Sequence, residues 1–117
     1  MSTNSQIAFN PQGKTVVVAA AGTAPTGVQA PVYEKFNPQA TGQYRIVNSG
    51  TVTVVLGFGP TAAEAAATAV APVAGTPSNA MALLPGAIEV LRFTPNTYFS
   101  GLAASATSVY ITPGEGL

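Results

Sequence analysis

The segment Gln43-Tyr44-Arg45-Ile46-Val47-Asn48-Ser49-Gly50-Thr51-Val52-Thr53-Val54-Val55-Leu56-Gly57-Phe58 carries the clearest pattern in this chain. Tyr44, Ile46 and Asn48 alternate with Arg45 and Val47, the period of two that marks a strand with one buried face. Asn48-Ser49-Gly50 then supplies turn chemistry, with a glycine able to take a left-handed conformation. Alternation resumes at Thr51-Val52-Thr53-Val54 and puts Val52, Val54, Leu56 and Phe58 on one face. The segment therefore reads as a β-hairpin.

The same grammar extends in both directions. Twelve glycines and ten prolines separate short runs rich in Val, Thr, Ile, Tyr and Phe, the pattern of many short strands joined by turns. Upstream, Thr15 to Ala20 is a strand candidate, and residues 1–14 read as an extended arm. Residues 21–42 hold Pro25, Pro31 and Pro38 and read as loop, with room for an edge strand at Val32 to Phe36. Downstream, Asn79 to Leu84 and Ala87 to Phe93 flank Pro85-Gly86, a natural turn pair. Tyr98 to Leu102 and Ala106 to Thr112 complete the series.

Residues 60–71 break the pattern. Pro60-Thr61-Ala62-Ala63-Glu64 matches a capping box, in which the Thr61 hydroxyl takes the N3 amide and Glu64 reaches back to the Thr61 amide. The Ala-rich run 62–70 then favours a short helix that stops before Pro72, with an ordered loop as the competing reading. The expected fold is all-β: an antiparallel β-sandwich, jelly-roll-like or Ig-like, with one short helix or ordered loop inserted. Residues 15–117 form one sandwich domain behind the arm.

Composition narrows the function. Only 7% of the 117 residues are charged, against a usual ~25%, and the formal net charge is zero. At 47% apolar the chain is too hydrophobic for disorder, so sparse charge points to a surface covered by something else. Alanine supplies 21 of the apolar residues, which leaves a modest core, and contacts with other chains are expected to add stability. No basic stripe offers the attraction that nucleic-acid binding needs. No apolar run approaches the ~18 residues of a membrane span. Lys14 and the run Val16 to Ala21 imitate a secretion signal but are short and start late.

The chain contains no His, Cys, Asp or Trp. Nucleophile–histidine dyads and triads, thiolate sites and His-containing metal sites are thereby excluded, and no cofactor is implied. The carboxylates are Glu34, Glu64, Glu89 and Glu115. Glu64 is explained as a cap, Glu115 lies in the tail, and Glu34 and Glu89 show no pairing of the glycosidase kind. Gly57-Phe58-Gly59 and Gly114-Glu115-Gly116 lack the Lys and Ser/Thr of a phosphate loop. The chain reads as a non-enzyme. Arg45 and Arg92, on strands among apolar neighbours, are solvent-facing, or in salt bridges with Glu89 or Glu34, or interface anchors. Tyr98-Phe99 should divide between core and surface, since strand neighbours point to opposite faces. The candidate interface residues are Phe9, Tyr33, Phe36, Arg45, Arg92 and Tyr98.

From Tyr44 onward the chain resembles the small decoration, or cement, proteins of tailed-bacteriophage heads. The resemblance rests on Tyr44-Arg45-Ile46-Val47-Asn48, on the Val-rich strand ending Gly57-Phe58-Gly59, and on the Ala-rich segment after it. It continues through Leu84-Pro85-Gly86-Ala87, Thr97-Tyr98-Phe99 and the ending Val109-Tyr110-Ile111-Thr112-Pro113-Gly114-Glu115-Gly116. These features cover the last two thirds and act through their order, none being specific alone. The Ala, Thr and Pro content of residues 60–80 departs from the pattern.

The resemblance implies a jelly-roll-like sandwich made in the host cytoplasm and carried on the outside of the phage head. Its partners would be the major capsid protein and neighbouring copies of itself as a homo-oligomer, with no nucleic acid and no membrane. The arm and long loops would reach across subunit seams from a rigid sandwich. The rivals are a tail or neck subunit, and a carbohydrate-binding or adhesive module. The absence of Trp and Asp weighs against the last of these.

Overall fold

An alternating strand is stable only when a second layer covers its apolar face. A computed structural model, which describes residues 9–11, 13–30 and 42–115, supplies that layer as a second sheet. In chain order the elements are β1 (Asn10–Pro11), β2 (Val16–Ala20), β3 (Val28–Gln29), β4 (Gln43–Asn48), β5 (Val54–Gly59), α1 (Ala62–Thr68), β6 (Met81–Leu83), β7 (Ile88–Arg92), β8 (Tyr98–Ala103) and β9 (Thr107–Glu115). The first sheet runs β2-β9-β4-β7, with β1 continuing along the same edge of β9 beyond β2. The second runs β3-β8-β5-β6. The antiparallel pairs β2–β9, β3–β8, β4–β7 and β5–β6 are nested, first strand with last, and β4–β9 and β5–β8 join them into sheets. This is the strand order of a jelly roll. The edge strand expected at Val32 to Phe36 lies outside the described residues, and of the expected arm residues 10 and 11 are a strand on β9.

The hairpin expected over Gln43 to Phe58 is not formed. β4 belongs to the first sheet and β5 to the second, so the turn between them is a corner from one layer to the other. Asn48 makes that corner. It is fully buried, and its Nδ2 donates to the carbonyls of Val52 (3.0 Å), Leu83 (2.9 Å) and Leu84 (3.2 Å). Its Oδ1 accepts from the Gly50 amide at 3.0 Å. Its backbone donates to the Ala87 carbonyl and accepts from the Gly86 amide, both at 3.0 Å. One side chain thus ties the β4–β5 corner to the β6–β7 corner, which also switches sheets. There Gly86 takes φ 75°, and the Ala87 amide closes on the Leu84 carbonyl at 2.9 Å. Gly50, expected as a left-handed glycine, has no positive φ. Its role is close approach, since a Cβ there would lie 2.6 Å from the Thr107 side chain.

Because both corners cross, the apolar faces of the two sheets meet. Tyr44, Ile46, Val109 and Ile111 pack against Val54, Leu56, Leu83 and Phe99. The inward residues read from alternation in β4 and β5 are all buried or packed on this core.

The 60–71 segment is a helix on the outside of the second sheet. The Thr61 hydroxyl accepts from the Glu64 amide at 3.2 Å, as expected of the cap. The return arm differs: the Thr61 hydroxyl, rather than its amide, donates to the Glu64 carboxylate at 3.2 Å. The helix ends at Thr68, with the C-cap Ala69 leaving the helical region at φ −78°, ψ 67°, and the Thr68 side chain turns to the sheet. Its Oγ1 accepts from the Phe58 amide and lies 3.0 Å from the Phe58 carbonyl, filling the ladder position left empty where β6 stops. Gly57 lets the helix sit this close; a Cβ there would come within 2.4 Å of the Ala65 carbonyl oxygen.

Two outcomes follow from these contacts. Asn48→Ala should cost about 3 kcal/mol, because it strands buried carbonyls at both corners, and should lower Tm by about 10 °C. A loss below about 1 kcal/mol in denaturant melts would show that the corners are held by other contacts. Gly57→Ala should cost about 2 kcal/mol by pushing α1 off the sheet. Hydrogen exchange should then speed up at amides 65–69 while strand amides in the first sheet stay protected; unchanged helix protection would refute the close-approach role.

Candidate interaction surface

In an antiparallel pair, directly opposed residues share a face. Val17 opposes Tyr110, Tyr110 opposes Val47, and Val47 opposes Ile88. Their chain neighbours Val18, Val109, Ile111 and Ile46 are buried in the core, so this row lies on the outer face of the first sheet. Val17 is 45% exposed, Tyr110 41% and Ile88 57%, with Val47 half-buried between its neighbours. A sheet facing water on one side ordinarily presents polar residues there. Here an apolar row crosses the full width of the sheet.

The rows beside it are mixed. One holds Thr112, Arg45 and Val90, with the Thr15 and Thr112 hydroxyls 2.7 Å apart at its end. Phe9 and Pro11 reach this row: together with Thr15, Arg45 and Thr112 they line a shallow depression of about 420 Å³. The structure thus brings together Phe9 and Arg45, two of the residues expected at an interface. The following row holds Gly114, Gln43 and Arg92. Arg45 and Arg92 are both exposed.

Arg92 also joins Tyr98 at a second feature, an open groove of about 1030 Å³. It lies at the end of the sandwich remote from Asn48, since Tyr44 and Asn48 are separated by ~13 Å of β4. Gln29, Phe58 and Asn96 complete its main walls. Phe58 and Phe93 of its lining belong to an aromatic cluster in which Phe93 meets Phe58 at 4.8 Å and Phe99 at 5.1 Å, and Phe99 meets Tyr44 edge-on at 5.3 Å. Tyr98 and Phe99 divide as expected, one half-buried and one in the core. The rim turns at Asn96, at φ 65°, whose amide donates to the Tyr44 hydroxyl at 2.9 Å. Burial pushes the Tyr44 hydroxyl above its usual pKa, and the amides of Asn96 and Thr97 partly oppose this.

Tyr33 and Phe36 lie outside the described residues. Val17, Val47, Ile88 and Tyr110 were not singled out from sequence. Val47 is marked as outward by its alternation, but the row exists only through pairing between distant strands. Among the described residues no three His, Cys, Asp or Glu side chains gather into a metal site. No helix among them is long and apolar enough to cross a membrane.

Tyr44 gives this end of the sandwich a pH dependence. The folded state holds its proton more tightly than the unfolded chain, whose tyrosine titrates near 10.0. Stability from this group is complete below that pH and falls as pH rises through the higher folded value. Thermal melts from pH 8 to 11 should show a steeper decline above pH ~10 in the wild type than in Tyr44→Phe. Equal slopes would mean that Tyr44 does not carry the linkage.

No family model, curated protein or solved structure matches this chain.

Proposed function

We propose that this chain is a structural virion protein, a decoration or cement protein that binds the outside of a phage head and strengthens contacts between major capsid subunits. The observation that carries the reading is the exposed apolar row Val17–Tyr110–Val47–Ile88, continuous across the outer face of the first sheet. Exposed apolar surface of this continuity marks a face that meets another protein. Sparse charge, the jelly-roll strand order and the resemblance carried by the last two thirds of the sequence support the same reading. The chemistry required is only burial: each large apolar side chain removed from water contributes about 1.5–3 kcal/mol when fully covered. The partners are the major capsid protein and neighbouring copies of the chain, and the place of action is the head exterior. A tail or neck subunit would use the same face, and particle location separates the two.

One observation favours a second reading, a carbohydrate-binding module. The groove combines an aromatic side chain, Tyr98, with planar polar groups on Gln29 and Arg92, a combination suited to sugar rings. A glycan array without binders would remove it.

The test of the main reading is co-sedimentation with shells that lack the native copy. Bound chain should sediment with the shells and raise their melting temperature, and the chain itself should melt higher when bound than when free. Failure to co-sediment, or equal melting of free and bound protein, would overturn the cement reading.

A further inference from the structure

The charges on the sandwich are sorted by face. Arg45 and Arg92 stand on the outer side of the first sheet, Arg45 in the row next to the apolar one and Arg92 one row beyond it. Glu64 is on α1, against the outer side of the second sheet, where a Cβ at Gly59 would meet it. Glu89, at the register position of the inward Ile46, is exposed on the edge strand β7. Of these four side chains, the two arginines share the face of the apolar row and neither Glu64 nor Glu89 stands on it.

We propose that the outer face of the β2-β9-β4-β7 sheet docks on an acidic protein surface, one presenting an apolar strip bordered by carboxylates, with α1 turned away from it. The proposal rests on the cement reading above and adds the orientation and the chemistry of the partner. Two arguments favour such a partner over a second copy of this chain. Isologous pairing through this face would set Arg45 against a second copy of the same face, where neither Glu64 nor Glu89 stands to meet it. Area points the same way. Four strands ~4.8 Å apart and about six residues at ~3.4 Å each give a face of roughly 400 Å². A stable interface needs about 800 Å² from each partner, so this face alone makes a weak contact. On a shell of many identical sites, contacts between neighbouring copies would make up the difference by coupling each copy's binding to the next.

The arginines act on specificity and rate. Arg45 lines the same depression as Phe9 and Pro11, so docking would withdraw it from water beside apolar surface, where an opposed carboxylate counts for more than in bulk solvent. Two arginines are too few for nucleic acid, whose binders neutralise several phosphates.

The experiment compares the wild-type chain with Arg45→Glu, Val47→Glu, Val47→Thr and Glu64→Lys for binding to shells assembled from the major capsid protein of the same virus. Circular dichroism and melting confirm that each variant is folded; Val47→Thr and Arg45→Glu keep the test open if Val47→Glu does not fold. Arg45→Glu and Val47→Glu should each weaken binding by about tenfold or more, and Val47→Thr by less. Glu64→Lys should bind within about twofold of wild type, and raising salt from ~50 to ~300 mM should weaken the wild type more than a folded Arg45→Glu. If wild type binds but the sheet variants bind equally well, the orientation is wrong while the cement reading stands. If wild type does not bind, both are overturned. A stable dimer of the free chain that Val47→Glu dissolves would assign the face to a second copy and overturn the acidic partner. Binding of the wild type to phosphatidylserine vesicles in place of shells would overturn it in favour of a membrane.

Discussion

The buried amide of Asn48 is the constraint on which the rest of the sandwich depends. A fully buried side-chain amide is costly unless its donors and acceptor are engaged. Here they are engaged by two separate crossings of the chain, at Val52 and at Leu83 and Leu84. Both crossings carry a strand out of one sheet and its successor into the other. Joining them at one residue fixes how far apart the two layers stand and which corner lies over which. Neutral apolar residues could fill the same space, but they would leave the carbonyls at both corners without donors.

At the far end the closure is of another kind. Tyr44, Phe93, Phe99 and Phe58 meet in edge-to-face and tilted pairs and pack this end of the sandwich by area and ring geometry rather than by a polar hub. The one polar tip in that cluster, the Tyr44 hydroxyl, is directed to the Asn96 amide at the rim. Along the side, α1 replaces a missing stretch of edge strand, with Thr68 supplying to Phe58 the bonds a neighbouring strand would have made. An exposed sheet edge is an invitation to unwanted pairing, and the helix closes this one.

Among the described elements, α1 covers the outer face of the second sheet, while Val17, Ile88 and Tyr110 stay exposed on that of the first. That asymmetry gives the proposed docking its direction. A face with an apolar row and Arg45 beside it discriminates among partners by sign as well as by shape. The groove near Tyr98 lies at the end of the same molecule, and Arg92 borders both it and the docking sheet.

Alternation in the sequence was enough to state the strand class and the inward residues of β4 and β5, and the capping box to state that α1 starts after Thr61. These are local properties: a period of two, a cap within four residues and the punctuation of Gly and Pro are written in neighbouring positions. Pairing is not local. The same residues that read as a hairpin at Asn48-Ser49-Gly50 instead make a corner, because the decision belongs to Leu83, Leu84, Gly86 and Ala87, some 35 residues away. The candidate surface was hidden for the same reason. Val17, Val47, Ile88 and Tyr110 are unremarkable one at a time, and become a continuous apolar row only when four strands from distant parts of the chain are set side by side in one register.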